Sequence, residues 1–125
     1  MSRISSRAKV NKLIAGLATD TGLPVAQESY TGTETSYIVF SWVSMSPVYS
    51  ADDRAQYDES HVNVVLYTPR KNNPTALIDL IRDSLEAKGF TVDEIWGPNL
   101  TPLGDNSKSD YNFQTVFETI YTDFH

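Results

Sequence analysis

The residues that could do chemistry in this chain are few, and their spacing does not bring them together. The 125 residues include no cysteine and only two histidines, His61 and His125, so thiol nucleophiles and thiolate metal sites are excluded. A two-histidine metal site would require the end of the chain to fold back onto the strand that begins at His61. No serine or lysine lies in a nucleophile elbow or a glycine-rich phosphate loop. We therefore expect no catalytic residue, no metal and no cofactor.

An acidic segment at residues 45–59 is the other candidate for chemistry. It carries four acids, one arginine and two tyrosines: Asp52, Asp53, Asp58, Glu59, Arg54, Tyr49 and Tyr57. Clustered carboxylates are the ligands that calcium prefers, but this spacing matches no EF-hand loop. A connection of this length between two strands is predicted to be functional or mobile. Its tyrosines are more than a solvated linker needs.

Composition and charge indicate one folded domain spanning residues 1–125. The hydrophobic fraction of 40% is enough for a single core, and no stretch reaches the ~20 apolar residues of a membrane helix. We expect a soluble protein that does not enter a membrane. The net charge of −6 opposes binding to the phosphate backbone unless basic residues gather on one face. The main basic cluster, at residues 3–12, is interpreted as the solvated face of a helix, with DNA binding as the minor alternative.

The positions of apolar residues and breakers predict two helices. Val10, Leu13, Ile14 and Leu17 have helical spacing within residues 2–20, and the Gly and Pro of residues 21–24 end this helix. A second helix is predicted from the Asn-Pro pair at residues 73–74, with Asn as the cap and Pro at the first helical position, up to Gly89.

Runs of β-branched and aromatic residues predict the strands. Strong strands are expected at residues 36–43 and 61–68, and further strands at residues 90–96 and 113–121, after a short extended piece at residues 24–30. Residues 36–43 have apolar side chains on both alternations, which predicts a central strand covered on both faces. Residues 97–110 are predicted to form a long exposed hairpin arm. The order of elements predicts an α+β fold with a mostly antiparallel sheet, two main helices packed on one face, and long loops.

The aromatic content favours assembly over catalysis. About half of the aromatic residues on strands are expected in the core, and those beside loops are good protein–protein anchors. The residues we predict at a protein interface are Tyr49, Asp52, Asp53, Tyr57 and Trp96. Trp96 borders the hairpin arm and Tyr57 borders the acidic segment, so each could anchor one of two unlike patches.

Four stretches of the sequence resemble the tail-terminator, or tail-completion, proteins of long-tailed phages. They are the strand at residues 37–40, the segment 47–57 with its Tyr-Ser-Ala-Asp-Asp core, the strand at residues 62–69, and the helix that ends Lys88-Gly89-Phe90. The first helix followed by Gly22-Leu23-Pro24-Val25 resembles them too. The resemblance covers nearly the whole chain, on strand and turn residues and not on a catalytic signature.

The resemblance implies an α+β viral structural protein that assembles as a homohexameric ring. Such a ring caps the tail tube, stops its polymerisation and joins the tail to the head. Its partners would be further copies of itself, the tail tube protein and the head connector or stopper protein, and DNA would pass through its pore without specific binding. It would be assembled in the host cytoplasm and reside at the head-proximal end of the virion tail.

Two other interpretations remain open from the sequence. A head-completion or stopper protein, or another neck component, would share this size and lack of chemistry. A small metal-dependent or histidine-dependent enzyme is a third class. Oligomeric mass would separate the assembly proteins from a monomeric enzyme.

Overall fold

The fold is a five-stranded mixed sheet with helices on one side. The computed structural model describes residues 6–32, 35–49, 55–69, 74–102 and 111–124. The strands are β1 (Val25–Gln27), β2 (Tyr37–Tyr49), β3 (Ala55–Pro69), β4 (Phe90–Pro102) and β5 (Tyr111–Phe124). Their order across the sheet is β1-β2-β3-β5-β4, with β1 parallel to β2 and the other neighbours antiparallel. The predicted α+β class and mostly antiparallel sheet are confirmed.

The first predicted helix is present but divided in two. Helix α1 (Ser6–Ala15) is followed by a turn at Gly16 and then by the short helix α2 (Leu17–Thr21). A Cβ at position 16 would meet the Leu13 carbonyl oxygen and the Lys88 Nζ at 3.1 Å each, so a larger residue there would press on its neighbours. Gly22, with a φ of 75°, closes α2 through its N–H to the Ala18 carbonyl at 2.9 Å, as predicted.

The second predicted helix is α3 (Thr75–Ala87). It begins one residue later than predicted, since Pro74 occupies the N-cap position, and the predicted cap at residue 73 lies outside the described residues. Lys88 caps its C-terminal end, and Gly89 follows with a φ of 98°. The predicted stop at this glycine is confirmed.

The core lies between one face of the sheet and the helices. The buried core residues, all from the helices and this one face, are Val10, Ile14, Leu17, Ile38, Phe40, Val62, Val64, Leu66, Ile81, Leu85, Phe90 and Phe117. Alternate residues of a strand point to opposite faces, so each strand supplies every second residue to this core. Helix α1 covers the β1–β3 half of the sheet, and α3 covers the half that includes β4. The prediction of helices packed on one face is therefore confirmed.

The prediction of a loop at residues 45–59 is wrong for its described parts. Strand β2 continues to Tyr49 and β3 begins at Ala55, and the two pair along this stretch, for example Met45 with Ser60 and Ser46 with Glu59. The antiparallel partner strand provides the backbone hydrogen bonds of this polar arm, so it forms strands although it lacks the apolar pattern from which strands are predicted. The predicted hairpin arm at residues 97–110 agrees with the structure in its described part, where Asn99 pairs with Gln114 and Pro102 with Tyr111. Residues 103–110 lie outside the described part.

The prediction that residues 36–43 are covered on both faces is confirmed at Val39, which points away from the helices and is 8% exposed, but is wrong farther along the strand. Ile38 and Phe40 face the core, but none of the described helices packs on the opposite side of β2, where the bulge residue Val43 is 60% exposed. A strand with apolar residues on both alternations needs something over both faces, and the helices supply only one layer.

Candidate functional site

The side of the sheet that faces away from the helices is the candidate site, and we call it the open face. Strands β3 and β5 pair without a register shift, so odd-numbered residues from Tyr57 to Tyr67 share this side with even-numbered residues of β5. Strand pairing then sets which residues of β2 and β4 complete each row across the sheet.

An apolar row crosses the open face through all four long strands. Val39 pairs with Val65, Val65 with Val116, and Val116 with Trp96. The next row is polar and acidic and comprises Ser41, Asn63, Glu118 and Glu94. Cross-strand neighbours stand about 5 Å apart, so each row presents one continuous surface.

Trp96 is the largest exposed apolar side chain on this face. It is 51% exposed, and its indole N–H donates to the Glu118 carboxylate at 2.6 Å. This hydrogen bond orients the ring, which keeps a large apolar area in water without leaving the indole nitrogen unpaired. Oriented, half-exposed tryptophans of this kind are typical anchors of protein interfaces.

A shallow depression of about 210 Å³ lies beside the acidic row. Its lining includes Val43, His61, Asp93, Glu118 and Ile120. His61 Nε2 lies 2.9 Å from Glu59 Oε1, and the ring N–H donates because the carboxylate can only accept. Among the described residues no three His, Asp or Glu side chains converge as metal ligands. Its lining combines apolar side chains with carboxylates, which suits an apolar or basic group of a partner.

Three tyrosines stack at the end of the open face next to β1. The rings of Tyr30 and Tyr37 are 4.4 Å apart, and those of Tyr37 and Tyr67 are 4.9 Å apart. Gln114 Nε2 donates to the Tyr67 hydroxyl at 3.4 Å. Burial in this stack raises the pKa of the Tyr37 phenol, which is consistent with a role in packing.

Charges are separated between the sheet and helix α1. The five strands contain no lysine or arginine and six acids: Asp58, Glu59, Asp93, Glu94, Glu118 and Asp123. Helix α1 contains Arg7, Lys9 and Lys12 and no acid. The Arg7 guanidinium lies 4.9 Å from the centre of the Trp42 ring, and Lys9 Nζ is 3.1 Å from Asp123 Oδ1. Helix α1 is therefore a basic element, and the open face, which carries Glu59, Glu94 and Glu118, is acidic.

The structure places the predicted interface residues as follows. Trp96 and Tyr57 both belong to the open face, in rows about 27 Å apart along β3. Tyr49 is the last residue of β2, while Asp52 and Asp53 lie outside the described residues. Glu94 and Glu118 are not predicted as interface residues from the sequence. Both lie within predicted strands, where the alternation of side chains could have placed them on the face opposite the core.

Comparison with known proteins adds no family to this description. No protein-family model matches the chain, and neither does any curated protein. None of the described helices is long and apolar enough to cross a bilayer. The functional interpretation therefore depends on the residues, the fold and the distribution of charge.

Proposed function

We propose that this chain is a viral structural protein, a tail terminator of a long-tailed phage that closes with copies of itself into a ring. The ring caps the tail tube, ends its polymerisation and joins the tail to the head. One observation carries the proposal beyond the sequence resemblance. An apolar row with a half-exposed tryptophan crosses a sheet face on which none of the described helices packs.

The physical reason is that a sheet buries its apolar side chains against another layer. Val39 is only 8% exposed, yet it lies outside the core cluster. The open face therefore carries apolar residues that could form a second, smaller core if another layer packed on them. An exposed apolar patch rimmed by polar residues is typical of a protein interaction site. A partner that covers this face would complete the sheet's second layer.

A ring requires two different surfaces on each subunit that meet head to tail and close. The open face and the outer surface of the helices are two such surfaces, on opposite sides of one sheet. The net charge of −6 also fits a channel through which DNA passes, because repulsion keeps the polymer from adhering to the wall.

The test is electron microscopy of the purified protein, alone and after mixing with tail tubes of the source phage that lack their terminator. We expect rings, in solution or at one end of each tube, and tubes that no longer elongate when tube protein is added. Capsids carrying only their connector are the matched control for a head-completion protein. Binding to those connectors with no binding to tubes would contradict the proposal.

A further inference from the structure

We propose that the open face is covered by helix α1 of a neighbouring copy of the same chain. The inference rests on the proposed ring and names the two surfaces that meet in it. In each contact, the basic outer surface of α1 on one subunit lies over the apolar and acidic rows of the next subunit's sheet.

Charge complementarity identifies the occupant. On the open face, Glu59, Glu94 and Glu118 accompany the apolar row, and no strand contains a lysine or arginine. A partner that binds here must therefore bring positive charge. Helix α1 is the described element with three basic residues and no acid, and Lys12 is exposed on its outer surface. Opposite charges across an interface select the partner and fix the register.

Layer packing supports the same occupant. The helices already cover one side of the sheet, and helices on both sides are a stable arrangement for a sheet with apolar residues on both alternations. Exposed Ala8 and Ala15 flank Lys12 on α1. Because alanine side chains are short, the backbone of this helix can come close to Val43 and Trp96 of the neighbouring sheet. The stem of Lys12 can cover apolar area while its charged end reaches the glutamates.

Helix α3 explains why α1 takes this position. The exposed side of α3 carries Asp79, Asp83 and Glu86 with only Arg82 between them, so like charges disfavour α3 on an acidic sheet. This repulsion offsets the neighbouring subunit toward α1. A head-to-tail contact closes into a ring when each subunit is rotated by the same angle about a common axis relative to the one before it.

The open face is also large enough for such a contact. Four strands, over the rows from Tyr67 to Glu59, present a flat footprint of about 500 Å². Each partner in a standard protein interface buries about 800 Å² of corrugated surface. The two areas are of the same order.

The experiment reverses the charge on each surface separately. One variant carries Lys12→Glu and Ala15→Glu, at two exposed positions on the outer surface of α1, and a second carries Glu94→Lys and Glu118→Lys. In each variant, like charges meet at every contact, so we expect self-association in sedimentation to weaken about 100-fold or more. Circular dichroism of each variant checks that the monomer is folded.

Mixing the two variants provides the decisive result. In an alternating ring, the acidic outer surface of α1 in one variant meets the basic open face of the other, and the basic α1 meets the acidic face. We therefore expect an equimolar mixture to assemble when neither variant does alone. A chain with all four substitutions should also assemble. Arg82→Glu on α3 reverses a charge away from the proposed contact and keeps α3 acidic, so this control should assemble like the wild type.

The outcomes separate this inference from the proposed function. Unchanged association of both reversed variants, or two non-associating variants that fail to complement each other, would overturn the inference while wild-type rings still supported the terminator. A wild-type chain that forms no ring, either alone or on tail tubes, would overturn the proposed function and this inference with it. Where rings form only on tubes, the same variants are compared by the fraction of tubes that they cap.

Discussion

The two sides of the sheet both receive apolar residues from the alternation along each strand, but they differ in how far those residues are buried. Val64 and Val65 are neighbours on β3, yet Val64 is fully buried under the helices and Val65 is half-buried on the open face. The same holds on β5 for Phe117 and Val116. A period of two places apolar residues on each side, but a layer over a side decides whether they become core.

The comparison separates the residues that hold the folded monomer together from those that would face a neighbouring copy in the proposed ring. The helical side has the large side chains, the ion pairs between elements and the full burial that hold a monomer together. The open face has smaller apolar residues, one oriented tryptophan, and acidic residues with no lysine or arginine from the strands. Substitutions on the first side should act on the monomer, and those on the second on its association.

The largest effect that tests this comparison is expected from Phe117→Ala. Phe117 is fully buried in the core, and removing a buried phenylalanine costs about 3–5 kcal/mol of unfolding free energy. Val116→Ala, its neighbour on the open face, should cost under about 1.5 kcal/mol. Urea unfolding at dilutions where the chain is monomeric measures both. Equal losses would show that the open face is part of the monomer's core.

A smaller effect, confined to assembly, is expected from Trp96→Ala. If Trp96 is an anchor, the variant remains folded but loses about 2 kcal/mol per contact, seen in sedimentation as association about 30-fold weaker. The matched control is Leu80→Ala on α3, because Leu80 is similarly exposed, at 41%. We expect the same direction of change for Tyr57→Ala, at the far end of the open face. Unaltered rings and normal-length tails with Trp96→Ala would exclude Trp96 from the interface.

The smallest effect is a dependence of monomer stability on pH in the helical layer. The Asp20 carboxylate accepts hydrogen bonds from Lys88 Nζ at 2.8 Å and from the Ser84 hydroxyl, linking α2 to α3. The bond from Lys88, then that from Ser84, lowers the pKa of Asp20 below its ordinary 3.8. A lowered folded-state pKa means that the stabilisation is present above the unfolded-state pKa and is lost as pH falls through the folded-state value.

The Asp20→Asn variant should therefore lose less stability than the wild type when the pH is lowered from neutral to below 3.8. Thermal unfolding across this range measures the difference. Ser84→Ala, which leaves the Lys88 contact in place, should give an intermediate slope. Identical slopes for wild type and Asp20→Asn would mean that this contact does not contribute to the folded state.

The sequence by itself determined the kinds of elements and most of their order. Helical spacing from Val10 to Leu17, the run from Tyr37 to Val43, and the glycines at 22 and 89 are local signals, and the structure has a helix, a strand and two helix ends there. These signals depend on neighbouring residues and on backbone conformation, so they can be predicted without the fold. The α+β class followed from the order of these elements.

Only the tertiary structure decided where the candidate site lies. The apolar row depends on the register of β2, β3, β5 and β4, including the bulges after Trp42 and Val92, which bring together residues far apart in the chain. The extension of β2 and β3 through the polar arm is likewise a product of long-range pairing, which no local pattern encodes. Which side of the sheet the helices cover is a property of the chain path, so the open face and its acidic row emerge only after folding.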